Sequence, residues 1–186
     1  MTTVFLSGSR SASRLNDAIR ERLGRMIDQD FHIVIGDANG ADKAMQVHLA
    51  DSNYRHVTVF CAGQTCRNNV GAWPTNNVEV SPSLSGRDFY TVKDVAMAAR
   101  ADYGFVLWDG KSAGSINNVL ELVKRGKYVV VHLSVTGKFV VVKSVEDITR
   151  LLEHCDRGNY LDIARKTHLA RRMAEIGGVR QAALNL

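Results

Sequence analysis

Cysteine is scarce in this chain: its three copies are Cys61, Cys66 and Cys155. The number is odd, and no Cys-x-x-Cys pair or Cys/His cluster occurs. That argues against a disulfide framework and against a zinc centre, and it predicts reduced thiols and no metal site. Proline is scarcer still, with Pro74 and Pro82 confined to one stretch. No apolar run approaches the roughly 20 residues that cross a bilayer. The opening residues Thr-Thr-Val-Phe-Leu-Ser-Gly lack the basic, apolar and small-residue regions of a secretory leader. No internal repeat or low-complexity tract stands out. These absences predict a cytoplasmic protein without a membrane partner.

What is present is an ordinary globular composition over 186 residues, enough for one domain with its own core. The formal net charge is +5, which is compatible with an anionic ligand or with nucleic acid and selects neither. Part of the excess sits in Arg165, Lys166, Arg171, Arg172 and Arg180. A basic helical tail of this kind is usually a solvated face, and nucleic acid is the less favoured partner.

Hydrophobic periodicity predicts alternating strands and helices. Strands are expected at Val4–Leu6, His32–Ile35, Val57–Cys61, Tyr103–Trp108 and Tyr128–Leu133, with one more short strand within Val135–Val142. Helices are expected after Ser11 or Ser13, over Ala41–Ala50, Thr91–Arg100 and Ile116–Lys124. Residues 62–88 show no periodicity and read as a long irregular excursion. The stretch Val145–Leu184 reads as two helices with a break near Asp156–Asn159. Strands apolar on both faces imply an α/β fold, a doubly wound parallel sheet of order 3-2-1-4-5. The domain is expected over 1–143, with residues 144–186 forming a helical extension packed on it. Ligands of such sheets bind at the carboxyl ends of the strands.

Four polar turns fall there. Gly8, Ser9 and Arg10 follow the first strand, where glycine admits a ligand to the backbone and arginine can grip a phosphate. Gly36, Asp37, Asn39, Gly40 and Asp42 follow the second. Asp42 can cap its helix or accept from a ribose or a base. Arg67 and Asn68 lie in the irregular excursion as an exposed loop or a lid. Asp109, Ser112, Gly114 and Ser115 join a hydrophobic strand to a helix, and backbone N–H groups there can cradle a phosphate. The full Walker pattern is not met. Trp73 is a candidate for stacking on a base, and Trp108 reads as core. The six histidines share no motif and read as structural.

These turns, with Phe89-Tyr90-x-x-Lys93-Asp94 and Trp108-Asp109-Gly110-Lys111-Ser112, resemble an uncharacterised bacterial branch of the SLOG superfamily. That group joins DNA-processing proteins of transformation to Lonely-guy phosphoribohydrolases, and nucleoside deoxyribosyltransferases look similar in the last motif. The resemblance covers about residues 2–133. It implies a Rossmann-like fold and a nucleotide-type ligand, with no further cofactor required, and a homodimer as one possible assembly. The catalytic branches carry glutamate three residues after the Gly-Thr pair of that motif, where this chain has Asn118. A neutral amide is no nucleophile or base, so a binding or sensing protein is the leading expectation. The alternative is an N-glycosidase or deoxyribosyltransferase in which Asp109 supplies the carboxylate. A single-stranded DNA-binding protein is the third expectation.

Overall fold

The computed structural model describes the backbone of residues 1–184 and the side chains of residues 1–178. The side chain of Arg180 lies outside the described residues. The strands are β1 (Thr3–Gly8), β2 (His32–Gly36), β3 (Val57–Ala62), β4 (Thr75–Val78), β5 (Tyr103–Trp108), β6 (Val129–Leu133) and β7 (Lys138–Val142). The helices are α1 (Asp17–Asp28), α2 (Ala41–Asp51), α3 (Gly86–Arg100), α4 (Ala113–Lys124), α5 (Val145–Leu152), α6 (Arg157–Thr167) and α7 (Leu169–Leu184).

One seven-stranded sheet has the order β4-β3-β2-β1-β5-β6-β7. All pairs are parallel except β6 with β7. The five-strand order expected from the sequence is thereby corrected. β4 adds an edge outside β3, and β7 folds back antiparallel on β6. The period of two along each strand divides the core. Val4 and Leu6 of β1 pack towards α1 and α2, with Leu23, Met45 and Leu49. Phe5 of the same strand packs towards α3 and α4, with Met97, Ile116 and Leu120. Both layers are buried, which is why these strands carry apolar residues without alternation.

Three further expectations need correction. The excursion over 62–88 contains β4, whose sequence Thr-Asn-Asn-Val carries no apolar pattern because it forms a partly exposed edge. It also contains the start of α3, five residues ahead of the expected Thr91. The C-terminal stretch holds three helices rather than two. Asp156 caps α6 by accepting from the Asn159 N–H at 2.8 Å, and His168 ends it in the left-handed region at φ 51°.

Cys61 and Cys66 form a disulfide with their Cα atoms 5.1 Å apart, against the expectation of reduced thiols at both positions. Gly63, at φ 74°, turns the chain straight after β3 and brings the two together. Cys155 is free. No helix among the described residues is long and apolar enough to cross a membrane.

The C-terminal helices share the core. Ile163, Leu169 and Ile176 pack in one cluster with Trp108, Val119 and Leu151. Arg172 on α7 donates to Asn117 Oδ1 at 2.5 Å and to Glu121 Oε2 at 2.6 Å. Arg165 and Lys166 pair with Asp162, and Arg171 with Glu175. Four of the five basic residues singled out in the tail therefore have acidic partners.

Candidate functional site

After β1 the chain moves outward through β2, β3 and β4, then returns to β5 on the other side of β1. The loops leaving β1 and β5 diverge, and a crevice opens at their carboxyl ends. It holds a cavity of about 780 Å³. Eight of the residues expected from sequence line it: Gly8, Arg10, Asp42, Arg67, Asp109, Ser112, Gly114 and Asn118. Arg10 makes no ion pair among the described residues.

The remaining predicted residues brace the walls instead. Ser9 is fully buried. Its Oγ accepts from the Asp109 N–H at 3.1 Å and lies 3.1 Å from Ser115 Oγ, tying β1 to the start of α4. Asn68 donates to the Asp37 carbonyl at 2.8 Å and to Asn39 Oδ1 at 3.0 Å. Gly40 lies at φ 85°, and a Cβ there would collide with the backbone of Arg10.

The α4 wall is partly satisfied from within. Asp109 Oδ1 accepts from the Lys111 and Ser112 N–H groups at 3.0 and 2.8 Å, and Oδ2 from the Ser11 hydroxyl at 2.6 Å. Burial raises the Asp109 carboxyl, but these donors outweigh it and hold the group below the usual carboxylate range. Ser112 Oγ caps the Ser115 N–H. The amides of Ala113 and Gly114 make no hydrogen bond among the described residues. One turn on, Asn118 is 6% exposed, and its buried Oδ1 has no partner among the described residues. Arg87 on α3 donates to the Ala113 carbonyl at 3.0 Å and so stands beside this helix start.

The β2 wall is a buried ionic cluster. Arg67 reaches Asp37 through Nη2 at 2.6 Å, Nε at 3.1 Å and its backbone N–H at 3.0 Å. Its guanidinium lies 4.1 Å from the centroid of the Tyr90 ring. Lys93, on α3, is 4% exposed. Its ammonium lies 2.9 Å from Asp94 Oδ1 and 3.9 Å from Asp37 Oδ1. Burial alone would lower this lysine, but Asp94, Asp42 and Asp37 overcome that and raise it. Asp42 is 5% exposed, and among the described residues its Oδ2 accepts only the Ala38 N–H, at 3.3 Å. Burial pushes its carboxyl up to about 6.

Gly36 makes this cluster possible. A Cβ there would lie 2.5 Å from Asp42 Oδ2 and 2.6 Å from Lys93 Nζ. Gly36→Ala is expected to cost about 1–3 kcal/mol of stability through displacement of that pair. Urea unfolding checks this, and a neutral substitution would show that the pair has room to move.

The loop carrying Arg67 is fastened at several points. The disulfide holds one end, Gln46 Nε2 donates to the Gly36 carbonyl at 2.8 Å, and Gln46 Oε1 accepts from the Val70 N–H at 3.0 Å. Trp73 belongs to this scaffold and not to the cavity: it is 5% exposed, and its indole N–H donates to the Tyr54 carbonyl at 2.8 Å.

Sequence reasoning did not place Arg87, Tyr90, Lys93 or Asp94 in the site, nor Asn117 or Lys166, all of which line the cavity. A signal existed for the first four: Arg87, Tyr90, Lys93 and Asp94 recur at helical spacing and form one polar face on a helix that must cover the sheet. Lys166 arrives from α6 and no local pattern announces it. Among the described residues no group of three or more His, Cys, Asp or Glu side chains is placed to hold a metal ion. Comparison of the chain with models of known protein families, with curated proteins and with solved structures returns no match.

Proposed function

We propose that this chain binds a nucleotide or nucleoside derivative at the carboxyl ends of its strands, in a Rossmann-like manner, as a binding or sensing module. The observation that carries the reading is the α4 wall. Ala113 and Gly114, whose backbone amides make no hydrogen bond among the described residues, line the cavity with Asn118, Arg10, Arg87 and Lys166, and the buried Oδ1 of Asn118 is without a partner among those residues. Backbone N–H groups at a helix start suit a phosphate, and an amide oxygen suits a sugar hydroxyl. The volume is in the range of small-molecule sites.

A hydrolytic or transfer reaction at an N-glycosidic bond is the second reading. Asp109 is poorly suited to it, since both carboxylate oxygens already hold the turn. What favours it is Asp42, a protonatable carboxyl on the cavity wall.

Equilibrium dialysis against ribo- and deoxynucleotides, nucleosides and NAD, followed by chromatography for free base, separates the two. Retention without base release supports the binding module, release supports the enzyme, and neither result sinks both. Gly114→Leu is the matching variant, because a Cβ there meets only Ser112 Oγ at 3.8 Å and the fold has room for it. It is expected to weaken binding by at least about tenfold, or about 1.4 kcal/mol, with unfolding unchanged.

A further inference from the structure

We infer that Asp42 reads the base of the ligand as a neutral carboxylic acid, donating to a ring nitrogen and accepting from the adjacent exocyclic amino group. The site then selects the amidine edge shared by adenine and cytosine over the N–H and carbonyl edge of hypoxanthine and uracil. This inference rests on the nucleotide reading of the cavity and names the base class that the reading leaves open.

The first support is a count of charges. Arg67 is spoken for by Asp37, and Lys93 is held closest by Asp94. Asp42 is the odd carboxyl of the cluster and makes no ion pair among the described residues. A buried carboxylate without its own cation is costly, and such a group neutralises instead. The groups facing it are Lys93 and Asp94 from α3, Asp37 from the turn after β2 and, through its charge, Arg67 from the loop after β3. Lys93 favours the ionised form and Asp94 and Asp37 oppose it, but burial outweighs each of these charges. Burial already raises this carboxyl to about 6, and a phosphate brought into the same cavity favours the proton further.

The second support is position. Asp42 follows β2 and the start of α4 follows β5, and these strands flank β1 on opposite sides. Two strand spacings are roughly 10 Å, a separation that matches a base and a phosphate joined through ribose. The phosphate belongs at the α4 amides beside Arg87, where unpaired backbone N–H groups and a guanidinium favour an anion. The base therefore faces Asp42. One Asp42 oxygen accepts from Ala38, which leaves the other to carry the proton. In the neutral form the pair O–H to ring nitrogen and C=O to amino hydrogen is complete. In the ionised form the ring nitrogen meets a second acceptor and the pairing fails.

The test is calorimetric titration with AMP and IMP, and with CMP and UMP, from about pH 5 to about pH 8, across the range in which a carboxyl raised by burial titrates. Each comparison shares one phosphate, so phosphate ionisation cancels in the ratio of affinities. The expected ratio is about tenfold or more in favour of the amino base at the acid end. It should collapse as the pH rises and Asp42 ionises. Asp42→Asn, whose amide also donates and accepts, should keep the preference and lose its pH dependence. Equal affinities, a preference for IMP or UMP at acid pH, or a wild-type ratio indifferent to pH would overturn the inference while leaving the nucleotide reading in place. Binding of none of the four at any pH would remove the nucleotide reading, and this inference with it.

Discussion

Lys93→Met is expected to lower the free energy of unfolding by about 3–5 kcal/mol near neutral pH, the penalty for leaving buried carboxylates without their cation. The side chain is 4% exposed and stands among Asp94, Asp37 and Asp42. Methionine fills a similar volume, so the loss is electrostatic and not a cavity effect. Its pH dependence has a definite sign. The folded-state pKa of Lys93 is raised, so its contribution is fully present throughout the neutral and acid range and is lost only as pH rises through the raised value. In the variant the aspartates take up protons as pH falls, and the deficit should shrink between about pH 8 and about pH 5. Asp42 in the wild type, like Lys93, contributes on the acid side. Its folded pKa of about 6 exceeds the ordinary carboxyl value of 3.8, so its contribution is complete below the unfolded value and fades as pH rises through about 6. Urea titrations of both proteins at the two pH values measure this. A deficit below about 1 kcal/mol at neutral pH would mean that water reaches the cluster.

The second large effect is expected at Trp108. It is fully buried between the sheet and the α3–α4 layer, and truncating a core tryptophan to alanine costs about 3–5 kcal/mol. Its indole N–H also donates to the Ser112 carbonyl at 3.3 Å, which fastens the turn that begins α4. Trp108→Ala should therefore loosen the core and the α4 wall together. Trp108→Phe keeps a ring in the core, so it should recover most of the stability while still freeing the Ser112 carbonyl. If Trp108→Phe binds ligand as the wild type does, the indole bond has no part in shaping the wall.

The inner strands were legible because burial on both faces leaves a plain apolar signature, as in Val-Phe-Leu of β1 and Phe-Val-Leu-Trp of β5. β4 was not, because an edge strand of four residues with polar side chains looks like a loop until it pairs with β3. The turns at the strand ends could be found from glycine and polar residues alone, and eight of those residues share one cavity. What those residues do could not be read in the same way. Ser9 and Asp109 look like ligand groups in sequence, yet they spend their hydrogen bonds on the turn that joins β5 to α4. The cluster around Lys93 brings together α2, α3, the turn after β2 and the loop after β3, and only the tertiary fold assembles it. The disulfide was missed for a similar reason. A separation of five residues has no motif, and the pairing depends on the left-handed turn at Gly63.

The C-terminal helices touch the cavity twice, through Lys166 on its wall and through Arg172, which holds Asn117 beside Asn118. On the proposed reading, occupancy of the cavity and docking of the tail are linked equilibria. A ligand held against Lys166 strengthens the seating of α6, and any partner that peels the tail away raises the ligand's dissociation constant by the same factor.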